Sequence, residues 1–136
     1  MGDILSAAMR WIHLASVITL LGGIVFWRFV MDPSTKKITP EDYRELEEGA
    51  ASHFRPLVYL VMVTLVLSGL YNYLAKPGHT RLYEILFGIK MLLVLHIFAA
   101  AILASRPGNA RRSRQLTGIV ISGIVVLIIS AAFRWV

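Results

Sequence analysis

The stretch Arg81–Ser105, RLYEILFGIKMLLVLHIFAAAILAS, decides the fold class of this chain. After Glu84 it supplies about one membrane thickness of apolar residues, interrupted only by Lys90 and His96. An ionisable side chain inside a membrane span is costly, and such residues tend to mark functional sites. Lys90 and His96 are therefore the first candidate site residues.

The composition of the whole chain also indicates a membrane protein. Of its 136 residues 57% are hydrophobic and 16% are charged, and the mean hydropathy is +0.67. A soluble domain of this size would need more polar surface. The absence of cysteine excludes disulfides, thiolate metal sites and iron–sulfur clusters. The formal charge of +6 lies at segment ends and in loops, which argues against nucleic-acid binding.

Apolar segments along the chain predict an all-α integral membrane four-helix bundle with antiparallel helices. The four spans are expected at about residues 4–31, 55–76, 81–105 and 115–135 of a single domain, 1–136. Between the first two spans, Thr39 as N-cap and Pro40 at the first helical position predict a short amphipathic helix. We expect this helix over 40–53, on the membrane surface.

The distribution of Lys and Arg predicts the orientation in the membrane. The first and third loops with their flanks carry more basic residues than the second loop and the two chain ends. Such an excess favours the cytoplasmic side. We therefore predict a multi-pass protein of a bacterial-type inner (plasma) membrane with both termini outside.

Two of the four histidines lie inside apolar spans, His13 in the first and His96 in the third. Charged imidazole is disfavoured there, and neutral imidazole binds iron or copper. With a rise of 1.5 Å per residue, His13 lies about 13 Å along its helix from the outer end. The corresponding depths are about 10 Å for Lys90 and about 20 Å for His96. A flat macrocycle between these spans could therefore reach His13 and either residue.

Lys90 and His96 are six residues apart, so one face of a helix cannot present both. We predict His13 and His96 as the axial pair of a haem, because lysine must first lose its proton to bind iron. His13 with Lys90 is the alternative pair. Arg10 and Arg81, near the outer surface, are candidates for binding the haem propionates.

The remaining polar residues of the spans suggest structural roles. Thr64, Ser68 and Asn72 recur every four residues in the second span, and we expect them to hydrogen-bond to backbone or to a neighbouring helix. His53, at the entry to the second span, is a weaker candidate ligand. His79, in the turn after that span, is expected to be solvated.

Two short motifs resemble those of known membrane families. The first span contains MRWIHL at residues 9–14 and LGG at 21–23, and the third contains LYEILFGIKMLLVL at 82–95. These motifs resemble the copper-resistance D (CopD) family and are similar to the HemJ-type protoporphyrinogen oxidases, small four-helix membrane proteins that bind b-type haem. Ser68-Gly69-Leu70 also fits both groups. The HemJ resemblance implies that His13 and Lys90 are the important positions.

Three functions remain open at this point. The first is binding of b-type haem for electron transfer or redox sensing with an unidentified redox partner, His13 and His96 being the metal ligands. The second is porphyrinogen oxidation of the HemJ type, which would make the protein an enzyme. The third is CopD-like copper transport or tolerance, with Met9, His13 and His96 as transient ligands. A purely structural subunit is the remaining interpretation, and the small residues Gly118 and Ser122 leave room for a homodimer.

Overall fold

A computed structural model describes residues 2–34 and 37–135 of the chain. Within these residues the structure is all-α, and it contains no strand. Its four long helices are α1 (Gly2–Ser34), α2 (Pro40–Ala75), α3 (Arg81–Ala104) and α4 (Arg112–Ala132). All four are long and apolar enough to cross a membrane. The predicted all-α four-helix bundle is confirmed, and the fold is that of a multi-pass membrane protein.

Side-chain caps and a tight turn set where the helices begin. The Thr39 hydroxyl accepts a hydrogen bond from the Asp42 amide at 3.2 Å, and Pro40 follows the cap as predicted. The Thr80 hydroxyl caps α3 in the same way, accepting from the Tyr83 amide at 3.1 Å. Gly78 adopts a positive φ of 67° between α2 and α3, which makes their connection short.

The predicted surface helix over 40–53 and the predicted span over 55–76 are one continuous helix. Helix α2 runs from Pro40 to Ala75 with Pro56 inside it. Near the end of its polar first part, α2 contacts the connection between α3 and α4, where the Arg55 guanidinium donates to the Ser105 carbonyl at 3.0 Å. The amphipathic segment is therefore an extension of the second span, not a separate element.

The helices form an antiparallel bundle whose two halves differ in packing. Helix α1 packs closely along α2, and α3 along α4, whereas α2 and α3 have few close contacts. We call the end with Gly2, Trp135 and residues 76–80 the termini end, and the end with residues 37–39 and 105–111 the loop end. Most of the buried core lies toward the loop end: Leu20, Ile24, Trp27, Val58, Val61, Ile97, Leu116 and Ile119. Large apolar side chains cover the outside, as a lipid-facing surface requires: Leu60, Leu92 and Ile128.

Arg112 ties the loop end together. Its side chain is 2% exposed, and its guanidinium lies 2.9 Å from the Glu47 carboxylate and 3.8 Å from that of Glu48. It also donates to the Ala104 carbonyl at 2.6 Å and lies 5.4 Å from the centre of the Trp27 ring. Trp27 begins a π-helical turn in α1, Trp27–Met31. In the sequence Arg112 is one of several basic residues of the third loop, and nothing in a run of arginines distinguishes the buried one.

Candidate cofactor cavity

An apolar cavity of about 580 Å³ lies in the half of the bundle nearer the termini end. All four helices line it, since the core fills the opposite half and α2 and α3 stay apart. Its volume is in the range of about 300–1,000 Å³ that is typical of small-molecule sites. The apolar part of the lining includes Leu14, Val17, Leu65, Phe87, Val94 and Val126.

Three basic side chains line this otherwise largely apolar cavity: Arg10, His13 and Lys90. The Lys90 ammonium lies 5.4 Å from the centre of the Phe133 ring and within electrostatic range of His13. Within residues 2–34 and 37–135, neither Arg10 nor Lys90 has a hydrogen-bond or ion-pair partner. The cavity therefore presents cationic groups that no carboxylate in the described chain neutralises.

His13 is oriented by α2. Its Nδ1 lies 3.0 Å from the Ser68 hydroxyl oxygen, and that hydroxyl donates its single proton to the Thr64 carbonyl. The Ser68 oxygen consequently accepts from Nδ1–H, which leaves the lone pair of the neutral imidazole on Nε2. Metal-binding histidines commonly have this arrangement, with one ring nitrogen donating to an oxygen and the other free to bind.

The α1–α2 seam makes room for this imidazole. A Cβ atom at Gly69 would lie 3.3 Å from Cε1 of His13, so glycine lets the ring lie against α2. One turn away, the Thr64 hydroxyl lies 2.7 Å from the Ser16 hydroxyl of α1. For Thr64 and Ser68 the predicted hydrogen bonds to backbone and to a neighbouring helix are confirmed. Asn72, the third residue of that stripe, lines the cavity.

His96 lies elsewhere. Its side chain is exposed at the seam between α3 and α4, where Nδ1 is 3.0 Å from the Ser122 hydroxyl. Since Lys90 and His96 leave α3 on different faces, the rotation of α3 that turns Lys90 into the cavity turns His96 away from it. The structure thus brings His13 together with Lys90 and not with His96.

The other predicted site residues divide in the same way. Arg10 and Arg81 are both exposed, but only Arg10 contributes to the lining of the cavity. His53 is exposed on α2 with Nδ1 2.9 Å from the Gly49 carbonyl, away from the cavity.

No set of metal ligands beyond these emerges. Among the residues that the structure describes, no group of three or more His, Cys, Asp or Glu side chains could hold a metal ion. Met9 and His96 do not line the cavity with His13, so the three predicted copper ligands do not converge there. A haem needs fewer protein ligands than a bare metal ion, because its iron already has the porphyrin nitrogens.

Aromatic rings line the cavity near the termini end. The ring centres of Tyr73 and Phe87 are 4.3 Å apart, and those of Tyr83 and Phe133 are 4.6 Å apart. His79 is part of this cluster and is not simply solvated, since its Nε2–H donates to the Tyr73 carbonyl at 3.1 Å. Tyr83 is not among the site residues predicted from the sequence. The available signal was its spacing from Phe87 and Lys90, which places the three on one helix face.

Comparisons of the chain with protein-family models, with curated proteins and with solved structures found no match. The resemblance to the CopD and HemJ groups therefore stays a prediction from short motifs. The fold and the site define a class of protein. It is a four-helix membrane bundle with a hydrogen-bonded imidazole on the wall of a largely apolar cavity that also has basic side chains in its lining.

Proposed function

We propose that this protein binds b-type haem in the cavity through His13 and acts in electron transfer or redox sensing. The observation that carries the proposal is the orientation of His13, whose Nδ1 is held by Ser68 on the wall of an apolar cavity. Haem is a flat, largely apolar group with two propionates, and Arg10 and Lys90 are the unneutralised cations on the same wall. Bound haem would supply one-electron redox chemistry.

In this proposal each side chain has a limited task. His13 binds the iron through Nε2, and Ser68 keeps its other ring nitrogen protonated. The apolar walls exclude water, which is one of the means by which a protein sets a haem potential. Arg10 and Lys90 take the propionates, a role predicted for Arg10 and open to a Lys90 that does not bind iron, whereas Arg81 lies outside the lining. From the distribution of basic residues we further infer that both termini face the outside of a bacterial-type inner membrane. The cavity would then lie in its outer half.

A second candidate is porphyrinogen oxidation of the HemJ type. The observation that favours it is the shared cavity of His13 and Lys90, the two positions that the HemJ resemblance implies. In that case Lys90 would serve the iron or the reacting porphyrinogen instead of a propionate.

The absorption spectrum of the protein purified in detergent tests the first proposal. We expect a Soret band and reduced α-bands in the unaltered protein and their loss in His13→Ala. The matched control His53→Ala, in which the lost imidazole is exposed on α2, should retain full haem occupancy. Full occupancy in His13→Ala would refute ligation by His13.

Two further variants decide which residue of α3 serves the haem. His96→Ala should leave the spectrum unchanged, because His96 lies outside the cavity. Lys90→Met should lower haem affinity with the spin state unaltered. A spin-state change in Lys90→Met would favour the HemJ-type hypothesis. A spin-state change in His96→Ala would instead support the predicted ligation of the haem by His13 and His96.

A further inference from the structure

The lining of the cavity is graded along the bundle axis. On α3, Tyr83 and Lys90 lie nearer the termini end than Val94 and Ile97 do, and all four line the cavity. On α4, Ser130 lies toward the same end. The groups that can hydrogen-bond or carry charge therefore gather at the termini end, while the deeper wall on α3 is apolar.

Tyr83 is the buried polar residue in this lining that lacks a hydrogen-bond partner for its side chain. It is 6% exposed, and its ring is held by His79 at 4.8 Å, by Phe133 at 4.6 Å and by the Lys76 ammonium at 4.0 Å. Within residues 2–34 and 37–135, no hydrogen bond involves its hydroxyl. Tyrosines with buried rings normally find a hydrogen-bond partner for the hydroxyl, and the Tyr83 hydroxyl is not fully enclosed. This one lines a cavity, where a ligand can provide the partner.

Tyr83 and Lys90 act on the same part of the wall. They are seven residues apart, which is close to two helical turns, so they share a face of α3. Both lie against Phe133, the tyrosine ring at 4.6 Å and the ammonium at 5.4 Å from its centre. A hydroxyl donor and a cation on one wall, with no acidic partner in the described chain, match the chemistry of a carboxylate.

We propose that Tyr83 and Lys90 bind the acidic group of an amphiphilic ligand whose apolar body extends toward Val94 and Ile97. The inference rests on the proposed function, since b-type haem is one such amphiphilic acid. It goes further by assigning Tyr83 as a ligand-binding residue and by fixing the direction of the ligand. The acidic end lies toward the termini end of the bundle.

The test uses metal-free protoporphyrin IX and its dimethyl ester as probes, because neither depends on ligation of iron. Binding to the protein in detergent is followed by porphyrin fluorescence. Tyr83→Phe keeps the stacked ring and removes only the hydroxyl. Loss of a hydrogen bond to a charged group should weaken binding of the acid about tenfold. Binding of the ester should be the same in the variant and in the unaltered protein.

Tyr71→Phe is the matched control, because the Tyr71 hydroxyl lies 3.3 Å from that of Ser6 and Tyr71 does not line the cavity. It should bind both probes as the unaltered protein does. Lys90→Met should weaken binding of the acid and leave binding of the ester unchanged. Three outcomes would each overturn the inference. The unaltered protein could bind acid and ester with equal affinity, Tyr83→Phe could bind the acid as tightly as the unaltered protein does, or the protein could bind no porphyrin at all.

His13→Ala separates this inference from the haem proposal. The variant should still bind protoporphyrin in a manner that depends on Tyr83, because the probe contains no iron. A protein that binds protoporphyrin in this way but shows no haem ligation by His13 would keep the acid site and lose the haem function.

Discussion

Single residues show that the bundle surrounds two of its cations, the buried Arg112 and the half-buried Lys90, in different ways. The Arg112 guanidinium is surrounded by acceptors, including the Glu47 carboxylate at 2.9 Å and the Ala104 carbonyl at 2.6 Å. The Lys90 ammonium has an aromatic ring beside it and no acceptor among the described residues. A buried cation that is paired with a carboxylate joins elements, whereas an unpaired cation that lines an apolar cavity is a candidate for binding a ligand.

Removing the charge of Arg112 should therefore destabilise the fold. Arg112→Met leaves Glu47 without its ion-pair partner, with only the Tyr43 hydroxyl donating to it, and breaking a buried ion pair costs about 3–5 kcal/mol. We expect a clearly lower midpoint of thermal unfolding in detergent, followed by far-UV circular dichroism. The control Arg111→Met removes an exposed arginine one residue earlier and should change stability by less than about 0.5 kcal/mol. Equal midpoints for the two variants would show that the ion pair contributes nothing.

At the scale of the helices, the contact between α1 and α2 fixes the orientation of the His13 ring. Ser68 accepts from its Nδ1, Gly69 leaves space for its ring, and Thr64 joins the two helices through Ser16. Small and hydroxyl side chains are the residues that allow close approach and hydrogen bonds between membrane helices. The seam that holds two helices together is thus also the one that positions the candidate ligand.

Crowding this seam should weaken cofactor binding without weakening the helix. In Gly69→Ala the new methyl group lies 3.3 Å from Cε1 of His13, so the ring must shift. Alanine has the higher helix propensity, by about 1 kcal/mol, which leaves α2 at least as stable. We expect haemin affinity to fall severalfold in a spectroscopic titration. Gly88→Ala is the control, because an added Cβ atom there has no other atom within 4 Å, and this variant should bind haemin as the unaltered protein does. The same haemin affinity in both variants would contradict this role of Gly69.

For the whole molecule, the distribution of charge and the position of the cavity make one joint prediction. Gly2, Trp135 and residues 76–80 lie at the end of the bundle that contains the cavity. If basic residues orient the protein as expected, this end faces the outside. A haem held there would exchange electrons more readily with a partner on the outer side.

Cysteine labelling tests that orientation, and the chain has no native cysteine to interfere. In intact cells, Gly78→Cys should react with an impermeant thiol reagent. Ser34→Cys and Asn109→Cys, at the loop end, should react only after the membrane is opened. Labelling of Ser34→Cys together with protection of Gly78→Cys would invert the topology.

The features that the sequence by itself determined are those encoded by short stretches of chain. Four apolar runs, each about as long as a membrane is thick, define the four spans. Thr39 and Thr80 begin helices because a hydroxyl at that position can accept from an amide three residues later. The apolar runs around His13 and Lys90 likewise predict that both residues lie inside spans, where ionisable groups are rare.

Only the tertiary structure decided which of those residues meet. His96 and Lys90 are equally unusual in sequence, yet the rotation of α3 against α4 turns one outward and the other into the cavity. Arg112 looks like its neighbours in the basic loop until Glu47 of α2 packs against it. Such choices depend on contacts between residues far apart in the chain. No local pattern encodes the rotation of one helix about its own axis relative to the next, because that rotation is set by how whole side-chain surfaces fit together.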